Sequence, residues 1–248
     1  MKRRRLSSDG FKLFNMAYVR PPPYSVIKEM LFCMYHTEYD DQLEKMVEQC
    51  RNASKQIYML NNDKNINTSE LINNAILNLI FSVMCKDDNL ANKYQVLRNI
   101  YYFKDVMEKA YNNEDHNTAI IIKNALDHSS LKTFKFKCRK KDKEFEKVFE
   151  DRYGTWRTCW AKHLKEVMNY KITEEYIPSL MVLKIHKERN KAYSNMVKSD
   201  ISSQDIEARI GIISVLNPLV AEDRFPLYEE PRVKTNSDLF ALANSIKK

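Results

Sequence analysis

From Tyr24 to Ile177 the chain contains no proline, and its 248 residues include only three glycines. Average usage is roughly 7% Gly and roughly 5% Pro. The turns of a sheet draw on Gly, Pro and Asn-Gly pairs. A chain this short of both is expected to be all-α, built from helices joined by polar loops. Its length allows one helical domain with a sizeable core. The expected division is a disordered basic arm over 1–20, a helical domain over 21–228 and a polar tail over 229–248. A short helix around 237–246 is the one exception foreseen in that tail.

Hydrophobic spacing places the helices. The "RPPPY" stretch at 20–24 reads as an extended linker, because consecutive prolines favour a polyproline backbone. A pair of helices follows, separated by a polar stretch near 36–41. Asn67 with Glu70 has capping-box spacing, so a helix opens there. Its wide apolar face runs through Leu71, Ile72, Ala75, Ile76, Leu79, Ile80, Val83 and Met84. Val96, Leu97, Ile100, Phe103, Met107 and Ala110 recur at three and four, which marks the next helix. After the polar turn "YNNEDHN", Asn117 or Thr118 is a candidate N-cap. The helix beyond, with Ile120, Ile121, Ile122, Ala125 and Leu126, is apolar nearly all round and is expected inside. Near the far end, Ser202 or Ser203 is expected to cap a helix with Ile206, Ile210, Ile213 and Leu216 on one face.

The scarce Gly154 sits between two amphipathic runs. Phe145, Val148 and Phe149 form a narrow stripe before it, and Trp156, Trp160, Leu164 and Val167 form one after it. Two helices joined by two or three residues make an antiparallel hairpin over 140–169. Glycine supplies the positive φ that ends the first of them.

The chain carries 41 basic and 33 acidic residues, a net charge of +8. That is a solvated helical surface with a basic lean, which favours acidic partners without choosing among them. The five cysteines are widely spaced with no CxxC, as in a reduced intracellular protein. The histidines show no ligand spacing, so no metal is expected. No phosphate-binding loop, dinucleotide fingerprint or hydrolase motif occurs, so neither cofactor nor small-molecule substrate is expected. No apolar run reaches the roughly 20 residues of a membrane span. The expectation is a soluble cytoplasmic protein, with "KRRR" at 2–5 a candidate nuclear-import signal.

The order of segments resembles the catalytic domain of Ras-family guanine-nucleotide exchange factors. The likeness covers about residues 70–228. It rests on Arg98, on the turn Asn112, Asn113 and Asn117, and on Ala125, Leu126, Ser129 and Ser130. It continues through the charged hairpin, "EEYIPSL" and "ARIGIISVLNPLVAEDRFPL". The sequence departs from that pattern in two inserted residues, Glu114 and Asp115, in the missing phenylalanine of the turn, and in Thr133-Phe134 after the serines.

The resemblance implies a partner, a Ras-family small GTPase, and a mechanism without covalent chemistry. An exchange factor binds the nucleotide-free GTPase more tightly and so accelerates release by linkage. The family's protruding hairpin wedges aside the loop over the nucleotide. It implies Glu146 or Glu150 as the carboxylate that disturbs the phosphate and magnesium sites. Phe145 and Phe149 would be the apolar wedge, and Gly154 the hairpin turn. Asn113, Asn117, Arg152 and Tyr153 would contact the GTPase. The bland alternative for Glu146 and Glu150 is solvated carboxylates in i, i+4 pairs with lysine, worth about 0.2–0.5 kcal/mol each.

Two other functions fit the same residues. One is a degenerate exchange-factor fold that binds a GTPase or an adaptor without exchange. The other is a basic nuclear protein associated with nucleic acid, motivated by "KRRR" and by "FKFKCRKKDK" at 134–143. The acidic run that follows speaks against a phosphate track, which makes nucleic acid the weaker partner. An anionic membrane surface is a further candidate.

Overall fold

The computed structural model describes residues 36–61, 67–86, 89–155, 160–193, 201–217 and 226–247. Among them are ten α-helices and one two-residue antiparallel strand pair, β1 (Cys85–Lys86) with β2 (Asn89–Leu90). The all-α expectation holds. The basic arm, the "RPPPY" stretch and Trp156 lie outside the described residues.

Helix α1 (His36–Leu60) already includes the polar stretch at 36–41, where the sequence predicts a break; the helix expected before that stretch lies outside the described residues. Helix α2 (Thr68–Met84) opens on Asn67, whose side chain accepts from the Glu70 amide as the sequence suggests. Helix α3 (Lys93–Asn112) opens on a full capping box, Asn92 with Gln95. Its expected stripe is inside: Val96, Ile100, Phe103, Met107 and Ala110 are buried, and Leu97 is half-buried against them.

Helix α4 (His116–Leu126) is the central rod, packed against α3, α2 and α1. Its isoleucines and Ala125 are buried as expected, but so are His116, Asn117 and Thr118 at its start. The N-cap is Asp115, not Asn117 or Thr118; its carboxylate accepts from the Thr118 amide at 3.1 Å and from the Thr118 hydroxyl at 2.6 Å. Asp115 is fully buried, and burial raises its pKa against those hydrogen bonds. The backbone of this corner is tied to the segment before Leu180: Ile177 bridges Asp115 in parallel, and its carbonyl accepts from the His116 amide at 2.9 Å.

A short turn of helix, α5 (Ser129–Lys132), leads to α6 (Lys140–Tyr153) and α7 (Ala161–Asn169). These two form the expected hairpin and pack against each other. The connection spans 154–160, longer than the two or three residues expected. Gly154 does end α6, at φ 88° and ψ −162°. Trp160 opens α7 from the left-handed region and is buried.

Helices α8 (Leu180–Tyr193) and α9 (Ser203–Leu216) pair on the other side, and α9 also packs on α1 and α7. Ser202 is the N-cap of α9, in a capping box with Asp205. The last helix, α10 (Asn236–Lys247), is the short helix expected around 237–246, but it is docked on the body rather than part of a trailing tail. Leu239 and Ala243 are fully buried, and the helix packs on α2 and α5. The apolar residues Leu239, Leu242, Ala243 and Ile246 recur at helical spacing, and together they pin the segment to the body. No described helix is long and apolar enough to cross a membrane.

Candidate functional site

The hairpin has an inner face, an outer face and a turn, and they differ in chemistry. Asp142, Phe145, Phe149 and Tyr153 follow one another at three and four along α6, and all are buried. They meet Tyr111 of α3, whose ring lies 5.3 Å from Phe145, 6.2 Å from Phe149 and 5.8 Å from Tyr153. Phe149 also touches Trp160 edge-on at 6.0 Å. Val148, expected in this stripe, is one residue out of register and 51% exposed.

This geometry corrects the wedge assignment. Phe149 is fully buried and Phe145 nearly so. Both rings belong to the core, and neither can enter a partner's cleft while α6 stays docked. Burying such a side chain stabilises the fold by about 1.5–3 kcal/mol.

The first turn of α6 is held electrostatically. Lys104 of α3 is buried and lies 3.2 Å from Glu146 and 3.7 Å from Asp142. Arg139 links Asp142 to Asp105, at 2.7 Å and 2.6 Å, with its guanidinium over Tyr101. Glu146 is therefore a structural counter-ion for a buried ammonium rather than a free carboxylate. Burial alone would lower the pKa of Lys104, but Glu146 and Asp142 outweigh it and the net shift is upward.

Beneath the last turn of α6 lies a closed polar cluster that no spacing in the sequence foretells. Arg152 bridges Glu166 of α7, at 2.5 Å, to Glu114 of the α3–α4 corner, at 3.0 Å, and covers the Tyr111 ring. Tyr153 is fully buried, and its hydroxyl pairs with Nδ1 of His116. The other ring nitrogen of His116 meets Glu114 at 2.7 Å. His163 is fully buried, 5.3 Å from His116 ring to ring. Its Nε2 accepts from the Ser179 amide at 3.1 Å, which leaves the proton on Nδ1, facing Glu166 at 3.4 Å. Burial holds His163 down to about 4, against the pull of Glu166. Burial would raise Glu166, yet His163 and Arg152 hold it down to about 2. Arg152 and Tyr153, expected at a GTPase surface, are thus internal ties between hairpin and body.

Asn117 is also internal. Its amide donates to Ser54 Oγ at 3.1 Å and to the Tyr228 hydroxyl at 3.3 Å, and its carbonyl accepts from the Leu180 amide at 3.1 Å. It knits α1, α4, α8 and the turn before α10, and it has no surface. Asn113 remains exposed; its backbone carbonyl accepts from Arg51 at 2.8 Å.

Beside the hairpin turn the surface opens. An open cleft of about 530 Å³ lies between the end of α4, the α5 turn and the hairpin. Glu150, Gly154 and Thr155 form one wall, and Lys123, Asp127, His128 and Lys132 form the other. Asp127 holds Lys123 at 2.7 Å and Lys132 at 3.2 Å. His128 caps α5 and reaches Asn236 of α10 at 3.2 Å. Among the predicted site residues, Glu150 and Gly154 are the ones the fold brings together in an open concavity. Their opposite wall was not foreseen. The spacing of Lys123 and Asp127, an i, i+4 pair at a helix end, was the one signal for it.

No protein-family model matches the chain, and a search of curated proteins finds no significant match to it. The class the fold defines is a mostly helical protein with a docked helical hairpin and an open mixed-charge cleft at its turn.

Proposed function

We propose that the chain is a binding module of the exchange-factor type, which holds a Ras-family small GTPase at the cleft beside the hairpin turn without driving nucleotide release. The observation that carries this reading is the burial of Phe149 and Phe145 together with the capture of Glu146 by Lys104. Wedging needs an apolar side chain and a free carboxylate at the contact. Here three of the four residues in those roles are committed to the fold. What remains at the surface, Glu150 facing Lys123 and Lys132 across a cleft, is suited to polar recognition. Mixed-charge rims of this kind set specificity and association rate more than raw affinity.

Active exchange is the second reading, and Glu150 favours it. It is an exposed carboxylate one turn from Gly154, free of any ion pair among the described residues. The two readings separate in one experiment. Immobilised chain is offered a panel of Ras, Rap and Ral GTPases, nucleotide-free and nucleotide-loaded, while release of a fluorescent guanine nucleotide is followed in parallel. The proposal expects one GTPase to be retained with an unchanged release rate, and Glu150→Lys to abolish retention. Acceleration that Glu150→Ala removes would establish exchange instead. Retention of no GTPase in either form would overturn both.

A further inference from the structure

The outer face of the hairpin's first half carries a charge pattern that the GTPase reading does not use. In the "FKFK" segment the rings turn inward and the lysines outward: Phe134 is buried and Phe136 half-buried, whereas Lys135 and Lys137 are exposed. The loop is fixed, not trailing. The Lys135 amide donates to the Lys132 carbonyl at 3.2 Å, and the Tyr101 hydroxyl holds the Lys137 carbonyl at 2.6 Å. Along α6, Lys140, Lys143 and Lys147 follow at spacings of three and four, so they share one stripe. All three are exposed, and Lys140 is 92% so.

Few of these charges are answered. Lys140 has Glu144 at 3.8 Å; Lys135, Lys137, Lys143 and Lys147 have no carboxylate partner among the described residues. The nearby acids are committed elsewhere, Asp105 to Arg139 and Lys141, and Asp142 to Arg139 and Lys104. The loop and the first two turns of α6 make a strip on the order of 25 Å long, from the rise per residue of extended chain and helix. Val148, exposed, lies beside its far end.

The geometry points to this strip as a docking face for an anionic lipid surface. Three features favour lipid over nucleic acid. The unanswered cations are lysines, compact point charges, whereas Arg139, whose planar fork suits phosphate recognition, is tied to two aspartates. The rings that could stack bases are withdrawn, Phe134 into the core and Phe136 under the Lys104 ammonium at 5.3 Å. The strip also stops where Glu150 and Asp151 begin, so it is a bounded patch and not a continuing track. Each lysine near an anionic leaflet contributes a similar increment of attraction, which decays within a Debye length.

The test is co-sedimentation of the full chain with vesicles of phosphatidylcholine alone and of phosphatidylcholine with roughly one-third phosphatidylserine. The inference expects binding to the anionic vesicles only, lost as salt rises from about 0.05 M to about 0.5 M. Lys135→Gln, Lys137→Gln and Lys143→Gln together should weaken it by about 100-fold, and Lys143→Gln alone by about 5-fold. A charge-matched control, Lys165→Gln, Lys191→Gln and Lys234→Gln on three separate elements, should leave it within about 3-fold. Equal binding to neutral vesicles, or a triple variant that binds like the parent chain, would overturn the inference. So would tighter binding of a short duplex DNA or RNA through the same lysines. The lysines are exposed, and an unchanged helical circular-dichroism signal separates a lost charge from a lost fold.

Discussion

The two polar regions at the hairpin turn are close neighbours and opposites. Beneath the turn, Arg152, Glu114 and Glu166 close on one another over His116, His163 and Tyr153, which are sealed from water. Beside it, Glu150 lines an open cleft opposite Lys123 and Lys132, which share Asp127 between them. The sealed cluster holds strongly shifted groups, His163 and Glu166 among them, and shifted groups in a cleft are a usual sign of chemistry. Here the shifts arise from burial and closed ion pairs, with no space for a ligand between the partners. A dense cluster of titratable groups can thus be a fastener. The functional candidate is the open region that faces solvent.

If the inner face is structural, Phe149→Ala has the largest effect of any hairpin change, about 3–5 kcal/mol of stability by chemical denaturation. A stability cost below about 1 kcal/mol would mean that the ring is not in the core and would revive the wedge.

Acid should open the sealed cluster before the rest of the fold. His163 is neutral when folded, held down to about 4 from an ordinary value of 6.5, because burial disfavours its charged form more than Glu166 favours it. A depressed histidine contributes stability that is present above its unfolded value and is lost as pH falls from about 6.5 towards 4. That contribution is on the order of 3 kcal/mol. Glu166, held down to about 2 from 4.5, adds a loss in the same direction at lower pH. Melting temperature should therefore fall steadily below pH 6.5, and His163→Gln should flatten that part of the profile. An unchanged profile in the variant would remove His163 from the account.

At Gly154 the backbone adopts a combination of φ and ψ essentially restricted to glycine. Gly154→Ala is expected to cost about 1–3 kcal/mol, read as a shift in denaturation midpoint. The smallest effect belongs to the open side: Glu150→Gln should change stability by less than about 0.5 kcal/mol while weakening GTPase retention. A variant that unfolds instead would place Glu150 with the sealed cluster and erase the contrast.

Much of the frame was legible because periodicity is a local signal. The stripes of α3 and α9, the Asn67 and Ser202 caps, the all-round burial of α4 and the positive φ of Gly154 all follow from residues within one or two turns. What failed needed long-range partners. Phe145 and Phe149 read equally well as a wedge or as a core face until Tyr111 is placed opposite them. Glu146 reads as a solvated carboxylate until Lys104, forty-two positions earlier, arrives with its charge buried. Asn117 looks like a helix cap, but Asp115 takes that role and frees its amide to join α1 to the turn before α10. The helix around 237–246 was legible in the same local way, but its docking on α2 and α5 was not, because those partners lie more than a hundred positions earlier.

Everything proposed for the hairpin depends on its docked state, and amide hydrogen exchange of α6 is the sharpest probe of that state. With its inner face in the core, the amides of Phe149 and Tyr153 should exchange only through openings nearly as costly as global unfolding. Exchange of the whole of α6 at a free energy a few kcal/mol lower, while α3 and α4 stay protected, would show a hairpin that detaches as a unit. That result would contradict the account and return Phe145 and Phe149 to the surface.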